Sequence, residues 1–161
     1  MIKIKDNLNN FFKWVKGTEL VELDNIDVSE DPVRPELTLG FRIQNGRKIF
    51  GLEYKDEIEA IVCIALCPEV PFTVREMDYM SQAANQDGQR GEIIVAYTVW
   101  SRKKGAGREI INKLKEWAIK EKFKRVVTLS PLTPMATHFH IKNGAKQVNI
   151  NDVTQNFEYK L

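Results

Sequence analysis

The stretch from Glu92 to Glu121 constrains the fold more than any other part of the chain. Ile93, Ile94, Val95, Ala96, Tyr97, Thr98, Val99 and Trp100 follow one another with no polar alternation. A strand of this kind is buried on both faces and belongs in the middle of a sheet. It runs into the basic, glycine-bearing turn Arg102-Lys103-Lys104-Gly105-Ala106-Gly107. Beyond the turn, Ile110, Ile111, Leu114, Trp117 and Ala118 share one helical face, while Lys113, Lys115, Glu116, Lys120 and Glu121 fill the other. Central strand, basic turn and amphipathic helix therefore form one continuous unit.

The flanking elements follow from the same reasoning. Leu8, Phe11, Phe12 and Val15 recur at helical spacing and predict a helix stopped by Gly17. Glu19 to Leu23 reads as a short strand and 25–34, rich in acids, as a loop; 35–44 is ambiguous between a short helix and extended chain. After the Asn45-Gly46 turn signal, Lys48 to Tyr54 and Ile58 to Cys67 predict an antiparallel hairpin closed at Lys55-Asp56. Thr73 to Ala84 has helical potential. Arg125 to Ser130 predicts another strand. Thr133-Pro134 reads as an N-cap followed by proline in the first helical turn. Met135, Ala136, Phe139 and Ile141 are the expected buried residues of that short helix, which Asn143-Gly144 ends. Gln147 to Ile150 and Asn156 to Leu161 read as closing strands.

A chain of 161 residues with 43% apolar content suits one domain, 1–161, around one core. No apolar run is long enough to cross a bilayer as a helix, and residues 1–6 carry no secretory pattern, so the expected location is the cytoplasm with no membrane partner. The formal net charge is only +2 with mixed signs, which argues against a dedicated nucleic-acid binder. The local excess of lysine and arginine between Arg102 and Arg125 suits a single anionic ligand. Cys63 and Cys67 lie in an apolar run and read as buried thiols. With His138 and His140 they fit no common zinc spacing, so no metal is expected. Along a strand, two residues four apart are also too distant to pair easily.

The turn at 102–107 has the chemistry of a diphosphate cradle. A helix start leaves about four N–H groups without partners and carries partial positive charge. Glycine lets the backbone approach a phosphate, and Arg102, Lys103, Lys104 and Arg108 add whole charges. A Walker loop is excluded because no G-x-x-x-x-G-K-S/T string occurs. A dinucleotide fingerprint fails as well. Ile110 stands where its third glycine is needed, and Arg125 where its acid is needed.

Arg102-x-x-Gly105-x-Gly107, between an apolar strand and an amphipathic helix, resembles motif A (Q/R-x-x-G-x-G/A) of the GNAT family of N-acetyltransferases. Val126 to Ser130 is similar to that family's next strand. Ala136-Thr137-His138-Phe139-His140-Ile141-Lys142-Asn143-Gly144-Ala145 resembles its short helix, A-x-x-L-Y-E-K-L-G-F. The likeness is good from about Glu92 to Ala145, fair over the hairpin before it and poor over the first 34 residues. It implies an α/β (α+β) acyltransferase fold, with a mixed, mostly antiparallel sheet splayed at the cofactor site and flanked by helices.

It also implies acetyl-CoA as co-substrate. The pantetheine arm would meet the backbone near Val95, Tyr97 and Val99. Lys103, Lys104, Gly105, Ala106, Gly107 and Arg108 would hold the diphosphate, and Thr133 would stand where many relatives place a cofactor-contacting asparagine. The implied reaction is direct attack by an amine on the thioester. His140 replaces the tyrosine that commonly protonates the leaving thiolate. Its alternative reading is a packed, hydrogen-bonded histidine. Glu92 is the candidate base, although its parity along the strand differs from that of Tyr97 unless a bulge intervenes. Tyr97 lines the acyl pocket or is simply core.

Three functions stay open at this point: an N-acetyltransferase acting on a small-molecule or protein amine, a CoA-binding module without turnover, and a nucleic-acid-associated protein using the basic strip. The acceptor class is open too, as is the choice between monomer and homodimer. The short chain and its histidine-for-tyrosine exchange are similar to small acetyltransferase-like proteins of bacteriophage genomes.

Overall fold

The computed structural model describes residues 17–161. The helix expected over Leu8 to Val15 lies outside the described residues. Eight strands, β1 (Glu19–Leu23), β2 (Arg47–Tyr54), β3 (Glu57–Cys67), β4 (Ile93–Ser101), β5 (Arg125–Thr128), β6 (Ser130–Pro131), β7 (Lys146–Ile150) and β8 (Thr154–Tyr159), form one sheet. Its order is β1-β2-β3-β4-β5-β8-β6, with β7 on the other edge of β8. Among the described residues four α-helices accompany it: α1 (Leu39–Ile43), α2 (Val74–Gln86), α3 (Ala106–Lys120) and α4 (Pro134–Lys142). The fold is an open, mixed α+β sheet. Among the described residues β4 and β5 pair in parallel and the other pairings are antiparallel.

The apolar run predicted to be central is central. β4 lies fourth along the sheet order, and each of its residues from Ile93 to Thr98 is buried. Ile94 and Ala96 face α3, packing with Ile110, Ile111, Leu114 and Ala118, while Val95, Tyr97 and Trp100 face Met77 of α2 and the 25–44 loop. Both faces of the strand are thus used, as its lack of polar alternation requires. Lys55 and Asp56 close the β2–β3 hairpin, both at positive φ. That is the backbone twist which matches two antiparallel strands in a tight turn.

Two expectations need correction. The strand expected over Arg125 to Ser130 breaks at Leu129, whose N–H still reaches Ala96 O, and β6 then leaves β4 to pair with β8. On α4, Met135 (80% exposed) and Ile141 (50% exposed) point outward, whereas His140 is buried. The helix docks through Phe139 and His140 against Phe157 and Tyr159, so the polar residue takes the inward face.

Candidate active site

The parallel β4–β5 ladder runs from Ile93↔Arg125 to Ala96↔Thr128 and stops there. A bulge lies at the break. Cys63 of β3 pairs with Thr98 and Ile64 with Ala96, which leaves Tyr97 as the extra residue. A bulge bends its strand and increases the local twist. Past Ala96, β4 stays with β3 and β6 goes to β8, so the two chains diverge into a V open towards the end of β4. Val95 sits inside the ladder, between Ala65 and Val127. Its backbone is not on the open edge, which corrects the expected contact there. Strand alternation leaves Tyr97 and Val99 on the edge facing the gap.

At the mouth of the V, the turn has the expected form. Gly105 is the N-cap of α3 at φ 83, and a Cβ built on it would meet nothing within 4 Å. That left-handed conformation strains any residue with a side chain. Among the described residues, the N–H groups of Lys104, Gly105, Gly107 and Arg108 make no main-chain hydrogen bond. A Cβ on Gly107 would lie 3.1 Å from the Phe139 ring, a tight approach that would press the ring aside. Ala106 and Gly107 are buried, whereas Lys103, Lys104, Gly105 and Arg108 are exposed. Open amides, an uncluttered glycine and exposed cations fit a diphosphate.

The four basic residues are not equivalent. Arg102 is turned back to Glu30, with its Nε at 3.0 Å and its Nη2 at 2.9 Å from Oε2. Lys103 lies 3.9 Å from Glu57. Lys104 and Arg108 have no ion pair among the described residues. The free positive charge at the turn therefore belongs mainly to these two.

The catalytic candidates are not brought together. Glu92 stands at the opposite end of β4, exposed and paired with Lys124 at 2.6 Å. The nine residues of β4 separate it from the turn, about 30 Å at 3.3 Å each. The bulge falls at Tyr97, and Ile93, Val95 and Tyr97 still share one face, so it does not bring Glu92 onto that face. His140 is 5% exposed, and its Nδ1 is 2.7 Å from the Tyr159 hydroxyl. It stacks on Phe157 and meets Phe139 edge-on. Burial pushes its pKa down to about 4, so the ring is neutral at pH 7 and serves as a packing and hydrogen-bonding residue.

Tyr97 is 1% exposed and faces Phe41 edge-on. Among the described residues its hydroxyl has no partner in hydrogen-bonding geometry, and burial raises its pKa well above the usual range. Thr133 caps α4, accepting from Ala136 N at 3.2 Å. Cys63 and Cys67 are buried free thiols, pushed up by burial to about 11 and about 12. No group of three or more His, Cys, Asp or Glu able to hold a metal occurs among the described residues. Nor is any described helix long and apolar enough to cross a membrane.

Sequence reasoning missed a buried polar cluster beside Tyr97. Asp31 and Arg42, both with fully buried side chains, pair at 2.7 Å. Asp31 Oδ1 also accepts from Val33 N, Arg34 N and the Thr98 hydroxyl. Arg42 donates further to Leu37 O and Arg34 O, with the Cys63 sulfur at 3.6 Å. Arg34 itself reaches the vertex of the V. Its Nε donates to Tyr97 O and its Nη2 to Leu129 O, each at 3.0 Å. The sequence trace of this cluster is the mixture of acids and arginines through 30–42, which reads as a loop up to Arg34 and as ambiguous between short helix and extended chain beyond it.

No family model matches the chain, and no curated protein sequence matches it. The fold does have solved counterparts. A Bacillus subtilis acetyltransferase in complex with CoA superposes with a TM-score of 0.59 at 9% identity, over 90% of this chain and 99% of that one. A candidate GNAT-family acetyltransferase from Desulfovibrio desulfuricans gives 0.60 at 7% identity, over 89% and 99%. The GNAT domain of S. lividans PAT gives 0.55 at 11% identity, over 89% and 90%. The chain has the fold of GNAT acetyltransferases.

Proposed function

We propose that this protein binds acetyl-CoA, or a related short acyl-CoA, and transfers the acyl group to an amine by direct attack. The observation that carries the reading is the V between β4 and β6 opening beside the Gly105-capped start of α3. A backbone edge for the pantetheine arm and free amides for the diphosphate lie in sequence along one strand–turn–helix unit. Lys104, Gly105 and Arg108 hold the diphosphate, and the Tyr97–Val99 edge takes the arm. The CoA named in one structural neighbour supports the same ligand.

The amine must lose a proton to react. With a pKa of about 10.4, deprotonation at pH 7 costs roughly 5 kcal/mol. Neither Glu92 nor His140 is placed to meet that demand. Solvent or a side chain of the acceptor pocket then carries the proton. The same absence favours a second reading, a module that binds CoA and does not turn over.

Thermal unfolding with CoA present, followed by thiol release across a panel of amines, separates the readings. CoA should raise the Tm, and Lys104→Glu with Arg108→Glu should remove the rise. Release with at least one amine class supports the enzyme. Tight binding with no release from any amine supports the module. No Tm rise with wild type overturns both.

A further inference from the structure

Arg34 is the side chain that the proposed chemistry leaves unexplained. It is 8% exposed and sits between two strands that have just lost contact with each other. It bridges the carbonyls of Tyr97 and Leu129 with Nε and Nη2, while Nη1 takes part in neither bond. It has no ion pair among the described residues. Asp31 is committed to Arg42, and Glu36 lies nearby but exposed. Burial lowers the Arg34 pKa, which marks a cation whose two main-chain acceptors do not replace the water it has lost. Such a group gains from any negative charge that forms beside it.

Length identifies what forms there. The strand distance from Arg102 back to Tyr97 is five residues, about 16 Å. From the diphosphate to the thioester sulfur, a pantetheine arm has thirteen bonds, about 16 Å at the extended reach of a chain. An arm anchored at the turn and laid along β4 therefore brings its acyl carbonyl to Tyr97, where Arg34 waits.

We infer that Arg34 is a catalytic residue, hydrogen-bonding the thioester oxygen and stabilising the charge that gathers on it during acyl transfer. The inference rests on the proposed CoA reading. As the amine nitrogen bonds to the thioester carbon, the carbonyl π pair moves onto oxygen and is held by the guanidinium. The pair then returns, the C–S bond breaks, and the amine's proton passes through solvent to the departing sulfur. The products are an amide and CoA thiol. A buried charged donor aimed at a developing oxyanion is worth more than one in water. Asp31 and Arg42 act as positioning residues, since Asp31 receives Arg34 N and Arg42 donates to Arg34 O.

The test compares calorimetric affinities for acetyl-CoA and S-ethyl-CoA, a thioether that lacks the carbonyl. Wild type should favour acetyl-CoA by about tenfold or more, the usual worth of a hydrogen bond to a charged group. Arg34→Gln should bring that ratio to near one and leave the S-ethyl-CoA affinity within about twofold. Arg34→Lys should keep part of the preference. Independently of any variant, infrared spectra of acetyl-CoA labelled with carbon-13 at the carbonyl should show the stretch shifted to lower frequency on binding. An unchanged ratio in folded variants, or an unshifted carbonyl in wild type, overturns the role. Equal loss of both ligands on substitution also overturns it, leaving Arg34 as a strand tie. Failure of wild type to bind either ligand overturns the CoA reading, and the role with it.

Discussion

Acidification should unfold this protein through His140 before its carboxylates contribute. The imidazole is sealed by Phe139, Phe157 and Tyr159 and titrates at about 4 in the folded chain, against an ordinary value of about 6.5. The folded-state pKa is depressed, so the unfolded chain binds the proton more readily. Stability is therefore full above about pH 6.5 and falls as the pH drops towards 4. Each pH unit in that window removes up to about 1.4 kcal/mol, and the loss between pH 7 and 4.5 is about 2.4 kcal/mol.

Other groups do not mask this. The Asp27 carboxyl is held low by Ser29 and the Glu158 carboxyl by Arg125, so their contributions disappear only below the ordinary carboxylate range. The assay is urea unfolding between pH 7.5 and 4.5 for wild type and for His140→Asn, which keeps polar atoms near Tyr159 but cannot titrate here. Wild type should lose about 2–3 kcal/mol over the range, and the variant, less stable at pH 7, should show a much flatter profile. Parallel profiles, or a His140 pKa above 6 by NMR, would refute a buried neutral ring. They would also return His140 to consideration as a proton donor.

Three further outcomes are expected. Asp31→Asn leaves the Arg42 charge buried without its partner and should lower unfolding free energy by about 3–5 kcal/mol in denaturant titrations, with Asp31→Asn plus Arg42→Met recovering part of the loss. Gly91→Ala puts a Cβ 2.5 Å from the backbone of Leu66 and Cys67, which cannot move aside, so it should cost about 1–3 kcal/mol or more by the same measurement. Gly105→Ala meets open space but must hold φ 83, so it should cost about 1–2 kcal/mol and weaken CoA binding measured by calorimetry.

Much of the fold was legible because its elements carry strong local patterns. The β4 run shows no polar alternation from Ile93 to Trp100, and the α3 stripe has an unbroken helical period. Lys55-Asp56 closes a hairpin between two apolar runs, and Thr133-Pro134 caps a helix by local chemistry alone. The site was legible only where it is local. The turn at 102–108 could be read directly, but the division between neutralised Arg102 and free Lys104 could not, because Glu30 lies 72 residues away in sequence. The Tyr97 bulge has no glycine or proline to announce it. Arg34 reaches partners 63 and 95 residues away, and such pairing leaves no periodic trace. On α4, apolar side chains at Met135 and Ile141 suggested the wrong inward face, because a two-turn helix offers too few positions for its period to outvote tertiary packing.

The two halves of the proposed site answer to different parts of the chain, and this separation is itself open to experiment. The diphosphate end depends on α3 and its glycines, where Lys104 and Arg108 project into solvent and contribute little to stability. The acyl end depends on the 25–44 loop, because Asp31 and Arg42 fix the guanidinium that spans Tyr97 and Leu129. Substitutions at the turn should therefore weaken CoA and acetyl-CoA alike while leaving the Tm of the free protein nearly unchanged. Asp31→Asn in its folded fraction should do the opposite, reducing stability together with the preference for a carbonyl-bearing thioester and sparing the diphosphate contacts. Were both sets of variants to change the same quantity by the same factor, the loop would be acting only as support, and the V would have no distinct acyl end.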